Sequence, residues 1–205
     1  MDIKINFINK SNDMHNSNVV IFQKNVAEKF DEIAVAWKVI KNCGRGWQHS
    51  FQYPLEYAIS SSNIQMQLTA QHNHQYELLE ENSRAILVSH ADKGENNKGY
   101  TFVNNLPFEV VDADVYKDGT LIAKVPFVAP QQKAEIELSD NEICIAAVKF
   151  DTDEGNILPA DFTKDSSCYT TLNIEGYKQP VIERTTDENG KSVFTLKEAE
   201  TATAE

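Results

Sequence analysis

Hydrophobic and polar positions alternate with a period of two along most of this chain. Ile3, Ile5 and Phe7 fall on one side and Lys4 and Asn6 on the other, the pattern of a strand with one wet face. After a polar stretch, residues 19–22 (Val-Val-Ile-Phe) form a β-branched run short enough for a strand buried on both faces. These two runs and the loop between them read as an opening hairpin. Residues 33–40 hold four β-branched residues and Trp37, which favours strand over helix, and residues 26–32 are compatible with one helical turn. Residues 51–59 carry Pro54, which belongs at an edge or a bulge because proline cannot donate to a ladder. Ile64, Met66 and Leu68 alternate with Gln65 and Gln67 and predict a half-buried strand whose flat, Gln-rich edge could pair with another chain.

Three hairpins follow from turn chemistry. Residues 75–79 and 84–89 bracket Glu80-Glu81-Asn82-Ser83, residues 110–116 and 121–125 bracket Asp118-Gly119, and residues 181–185 and 192–196 bracket Asn189-Gly190. Further strands are expected at Ala134–Ile136–Leu138, at 143–150 and at 169–174. No internal repeat, heptad seam or long amphipathic helix occurs. The expected fold is all-β, an antiparallel β-sandwich of jelly-roll or Ig-like type with little helix. One domain over residues 1–197 is expected, with 92–99 (Asp-Lys-Gly-Glu-Asn-Asn-Lys-Gly) as the place where any subdivision would fall. A frayed acidic tail is expected over 198–205.

Charge narrows the function classes. Over 205 residues, 19 Lys plus Arg against 31 Asp plus Glu give a formal charge of −12. That field disfavours nucleic acid and anionic lipid, both of which reward cations. No apolar run approaches the roughly 20 residues that span a bilayer, so no membrane insertion is expected. The amino terminus has no apolar signal core, and Cys43, Cys144 and Cys168 are an odd, scattered set. Both features point to the cytoplasm, with export by a route that reads no amino-terminal signal left open.

Candidate chemistry is sparse. The loop Cys43-Gly44-Arg45-Gly46-Trp47-Gln48-His49 combines two glycines with a cation, a stacking face and a titrating ring. Arg45, Trp47 and His49 could therefore hold a glycan or another protein, while the blander reading has Trp47 covering the edge of the core. A Cys43/His49 nucleophilic pair lacks an orienting third residue. The acidic turn 151–156 resembles the start of a calcium loop, with Asp151 and Asp153 as candidate ligands for Ca²⁺. It departs from the EF-hand pattern at Glu154, and an acidic surface turn is the plainer reading. His72 and His74 would share a face on a strand and could chelate a metal, as against a polar hairpin end. Asp112 and Asp114 read as a solvated face. No phosphate loop, nucleophile elbow or zinc-protease helix motif is present, and no cofactor is expected.

The segment Ile8-Asn9-Lys10-Ser11, the run Val19-Val20-Ile21-Phe22-Gln23-Lys24 and the stretch Ala34-Val35-Ala36-Trp37-Lys38 resemble the opening of the small bacterial proteins related to RhiA, the rhizosphere-expressed protein. Residues 110–138 share that likeness more loosely. The resemblance implies a bacterial accessory protein and carries no catalytic residues with it. The reading ranked first is therefore a non-enzymatic, self-associating structural or interaction protein whose partner is itself. A glycan- or protein-binding module using the Gly44 to His49 loop comes second, and an enzyme third.

Overall fold

The computed structural model describes residues 2–13, 17–27, 33–91 and 98–199. In chain order the first strands are β1 (Ile3–Asn9), β2 (Asn18–Phe22), β3 (Ile33–Ala34), β4 (Lys38–Ile40), β5 (Gln48–Tyr53), β6 (Ala58–Ser61) and β7 (Leu68–Thr69). Then come β8 (His74–Glu81), β9 (Arg84–His90), β10 (Tyr100–Asn104), β11 (Val111–Lys117), β12 (Thr120–Val128), β13 (Lys133–Ile136) and β14 (Glu142–Val148). A five-residue helix α1 (Ala160–Lys164) and a 3-10 turn (Ser166–Cys168) precede β15 (Thr170–Asn173), β16 (Pro180–Thr186) and β17 (Ser192–Glu198). The fold is all-β and sandwich-like, as the alternation predicts.

Four sheets carry the strand orders β17-β16-β1-β5, β13-β10-β8-β9, β3-β12-β11-β6-β7 and β15-β14-β2-β4. Most neighbours run antiparallel, while β1 with β16 and β8 with β10 run parallel. One core cluster draws on residues from Ile5 to Phe194, on both sides of 92–99. The apolar run of β2 serves two cores at once. Val19 and Ile21 face the main cluster, while Val20 and Phe22 face a smaller one with Cys144, Ala146 and Leu158. Phe162 of α1 and Tyr169 close that second core, the first with its ring tilted and the second with its ring edge-on against Phe22. A strand with both faces dry reads as a continuous apolar run, so residues 19–22 do not alternate.

Several expectations change in the folded chain. The opening hairpin does not form: β1 pairs with β5 and β16, and β2 pairs with β4 and β14. β1 needs one covering layer and β2 needs two, so the strands lie in different sheets. Residues 33–40 break into β3 and β4 because the chain changes sheets at Trp37. The Trp37 ring sits edge-on to Phe51 at 5.9 Å and to Tyr53 at 5.3 Å. Residues 64–67 are not strand, since the Ser60 hydroxyl donates to the Met66 carbonyl at 2.8 Å and folds the segment back on β6. Pro54 ends β5 by lying in the connection to β6. The hairpin strands form around Asn82-Ser83, Asp118-Gly119 and Asn189-Gly190. The first two pairs have positive φ at both residues. Residues 28–32 of the suggested helical turn, 92–97 of the break and 200–205 of the tail lie outside the described residues.

Candidate functional site

The loop before β5 is tied down by Asn9. Its buried side chain donates to the Cys43 carbonyl at 2.6 Å, its N–H donates to the Trp47 carbonyl at 3.0 Å, and its carbonyl accepts from Gly46 N–H at 2.6 Å. Gly46 has φ +82°, a conformation that favours glycine, whereas a Cβ on Gly44 would meet the Trp47 ring at an ordinary 3.9 Å. Trp47 is 66% exposed, so it does not cover the core edge, a role that Trp37 fills instead. Arg45 and His49 are also exposed. His49 lines a shallow cleft with Trp37, Lys38 and Glu154 that neither Arg45 nor Trp47 reaches, so the three residues share a loop but no cavity. Cys43 is buried, and burial pushes its thiol up, away from the thiolate a nucleophile needs.

The metal candidates disperse. Asn73 has φ +62° and β8 begins only at His74, so His72 lies in the turn before the strand and the two histidines are not alternate residues of one strand. His72 stacks on Tyr100 and lies 3.1 Å from Asp140, while His74 meets the Ser89 hydroxyl at 3.0 Å. Asp151 and Asp153 both meet the Lys41 ammonium, at 3.3 and 2.6 Å, and Glu154 meets Lys38 at 2.8 Å. Among the described residues no group of three or more His, Cys, Asp or Glu side chains is placed to hold a metal. Asp112 and Asp114 are not a solvated face: both grip Lys124, at 2.9 and 2.6 Å, and Asp114 is buried. Burial pushes the Asp114 carboxyl up against the opposing pull of Lys124.

Two surface features were not read from the sequence. The first is the open edge of β9, which pairs only with β8 among the described strands. Most other edge strands are very short or carry devices that discourage pairing, while β15 is a four-residue edge (Thr-Thr-Leu-Asn) without charge or proline and β4 a three-residue edge with Lys38. β3 and β7 have two residues each, β13 carries Lys133 and Glu135, β17 carries Lys197 and Glu198, and β5 exposes Gln48, Ser50 and Gln52 before Pro54. Between Arg84 and His90, β9 reads Ala-Ile-Leu-Val-Ser, with no charge, proline or glycine. Glu81 and Arg84 flank the two-residue turn as a bonded pair, so Ala85, Leu87 and Ser89 present their N–H and C=O groups outward.

The second is an aromatic tip. Phe108 is 90% exposed and Phe127 80% exposed, and each follows a proline. Pro126 sits at a register shift in the β11–β12 pair, and Phe127 is held at φ +60° by a hydrogen bond from its N–H to the Asp112 carboxylate at 3.1 Å. A bulky residue in this conformation is strained, and here the strain points a ring at solvent. The buried Asn104 amide donates to the Glu109 and Val128 carbonyls and so ties both loops to the same end of the sheet.

Comparison with protein-family models, with curated proteins and with solved structures gave no match. No helix among the described residues is long and apolar enough to cross a membrane.

Proposed function

We propose that the protein is a non-enzymatic bacterial accessory protein that self-associates by edge-to-edge pairing of β9. The observation that carries this reading is the length of the β9 edge and its interior, residues 85–89, which holds no charge or proline, whereas the other edges are shorter or carry charges or flanking proline. Two copies related by a twofold axis at Leu87 would set Ala85 opposite Ser89 of the partner subunit. The four-stranded sheet would then continue across the interface, a closed and isologous arrangement. The half-buried Ile86 and Val88 would be covered on one face at the same time. The charge of −12 keeps unpaired copies apart at low salt and makes pairing stronger as salt screens it. The resemblance to RhiA-related proteins supplies the bacterial setting of this reading.

The test is light scattering on the intact chain beside Ala85→Pro. The Ala85 N–H points outward and Arg84 is extended, so the proline fits the monomer and blocks the added strand. The expected result is a wild-type mass well above 23.1 kDa that collapses to 23.1 kDa in the variant, with unchanged circular dichroism. A wild-type monomer at every salt and protein concentration would overturn the reading, as would a variant that associates equally well.

The aromatic tip supports a second reading. Phe108 and Phe127, with Glu109 and Asp112 beside them, fit an apolar pocket rimmed by Lys or Arg on a different protein. It replaces the Gly44 to His49 loop as the better partner surface, because that loop offers one exposed aromatic and no cavity.

A further inference from the structure

A cleft of about 610 Å³ lies between the sheet of β16 and β17 and that of β14 and β15. Its charge runs against that of the chain. The protein as a whole is at −12, yet the cleft is lined by Lys149, Arg184 and Lys191 against a single carboxylate, Asp13. The Arg184 side chain is 2% exposed. Its Nη2 donates to Asp13 Oδ2 at 2.7 Å and to Ser192 Oγ at 2.9 Å, and its Nε donates to Ser192 Oγ at 3.0 Å. Nη1 has no acceptor among the described residues. Lys149 is exposed and has no hydrogen-bond or ion-pair partner among them either. Lys191 donates to the Ser167 carbonyl at 2.7 Å, and its charge is shared with the nearby Asp165, whose carboxyl it helps to pull down. Two carboxylates stand behind the lining, and Asp165 also faces the Cys168 thiol and Lys191. Asp165 accepts from Ser167 N–H, and Asp187 accepts from the N–H groups of Asn189 and Lys191.

These cations come from three separate segments and reach the cleft from different sides. Such a set suits an anion with acceptors in several directions. A flat carboxylate is better matched by a free guanidinium fork, and the fork of Arg184 is already filled by Asp13 and Ser192. The volume is that of a small organic ligand and exceeds what a bare oxyanion fills. The remaining wall offers hydroxyls from Ser17, Thr170 and Thr186 and one face of Phe194. That is the surface a polyhydroxylated ring uses. We propose that this cleft binds the phosphate monoester of a small polyol, with the phosphate at Lys149, Lys191 and Arg184 Nη1 and the hydroxylated body along the Ser17 and Thr170 wall. The site is separate from the β9 edge, so each proposal stands or falls alone.

Cys168 makes the test direct. Its thiol lines the cleft and is exposed, while Cys43 and Cys144 are buried. The rate of Cys168 alkylation by iodoacetamide, read by mass spectrometry on the folded chain, is measured with glucose 6-phosphate, inorganic phosphate or glucose present. Calorimetric titration of the same three compounds detects a ligand that binds without covering the thiol. The expected result is saturable binding of glucose 6-phosphate, weaker binding of inorganic phosphate and none of glucose. Lys149→Gln removes one charged hydrogen bond at an exposed position, so the fold is kept and affinity for the ester falls by about tenfold. Neither heat nor protection from glucose 6-phosphate up to about 10 mM would overturn the proposal. Equal binding of glucose, equal binding of inorganic phosphate, or an unchanged Lys149→Gln affinity would overturn it as well.

Discussion

Lys117 gives the sharpest test of how this core is built. Alternation along β11 places Val111, Ala113, Val115 and Lys117 on the inward face, and Lys117 is 1% exposed. Among the described residues its ammonium has no carboxylate partner in contact. It lies 3.6 Å from the Tyr53 ring centre, 4.3 Å from that of Tyr57 and 3.5 Å from Gln23 Oε1. Loss of water lowers its pKa to about 7, against a smaller upward pull from Asp140. An unfolded lysine titrates near 10.4, so between about pH 7 and that value the unfolded chain binds the extra proton. Stability therefore rises with pH across this window, and the deficit is full and flat below it. From about pH 7 to about pH 9 the gain from this one group is about 2 kcal/mol. Lys117→Met keeps the length of the stem and removes the charge. Urea unfolding followed by tryptophan fluorescence, with the buried Trp37 as the reporter, measures both proteins at each pH. Cys43 acts in the opposite direction at the alkaline end, because its buried thiol titrates late, so the difference between the two proteins is the quantity to read. The variant should be the more stable protein near neutral pH, with an advantage that shrinks by about 2 kcal/mol on going to about pH 9. A difference that stays constant with pH would refute the reasoning, since Lys117 would then not titrate in this window.

Other expectations rest on single contacts. Lys124→Met should destabilise the protein by about 3 kcal/mol, because it leaves Asp114 buried beside Asp112 without a cation. Adding Asp114→Asn should recover part of that loss, and equal stability of single and double variants in urea would argue against the pairing. Asn9→Ala should cost about 2 kcal/mol and open the 43–47 loop to limited proteolysis, which peptide mapping would locate. Calcium or a chelator should leave the melting temperature and mass unchanged, since Asp151 and Asp153 already share Lys41. A calcium-dependent rise in either would return the 151–156 turn to the list of metal sites.

Local patterns foretold the hairpins around Asn82, Asp118 and Asn189 and the doubly buried β2, because turn chemistry and burial are written within a few residues. Sheet membership was not legible. The parallel pairing of β1 with β16 joins segments more than 170 residues apart, and nothing in Ile3 to Asn9 specifies it. The sites divide in the same way. Trp47 reads as a candidate from its loop and is exposed, but whether His49 and Arg45 join it depends on how β5 packs. The paired Pro-Phe steps at 107–108 and 126–127 were a readable signal for the aromatic tip. Lys117 on the apolar phase of β11 was another. The β9 edge had no signal of its own, since a strand becomes an edge only when its neighbours are placed elsewhere.

The central claim is that the outward groups of β9 find a partner in a second copy. Amide hydrogen exchange of Ala85, Leu87 and Ser89, followed by NMR as protein concentration is raised, reads those groups directly. The account predicts fast exchange in dilute protein and protection that grows with concentration at these three amides, with Ile86 and Val88 protected throughout by their bonds to β8. Exchange at Ala85, Leu87 and Ser89 that stays fast at every concentration would contradict it.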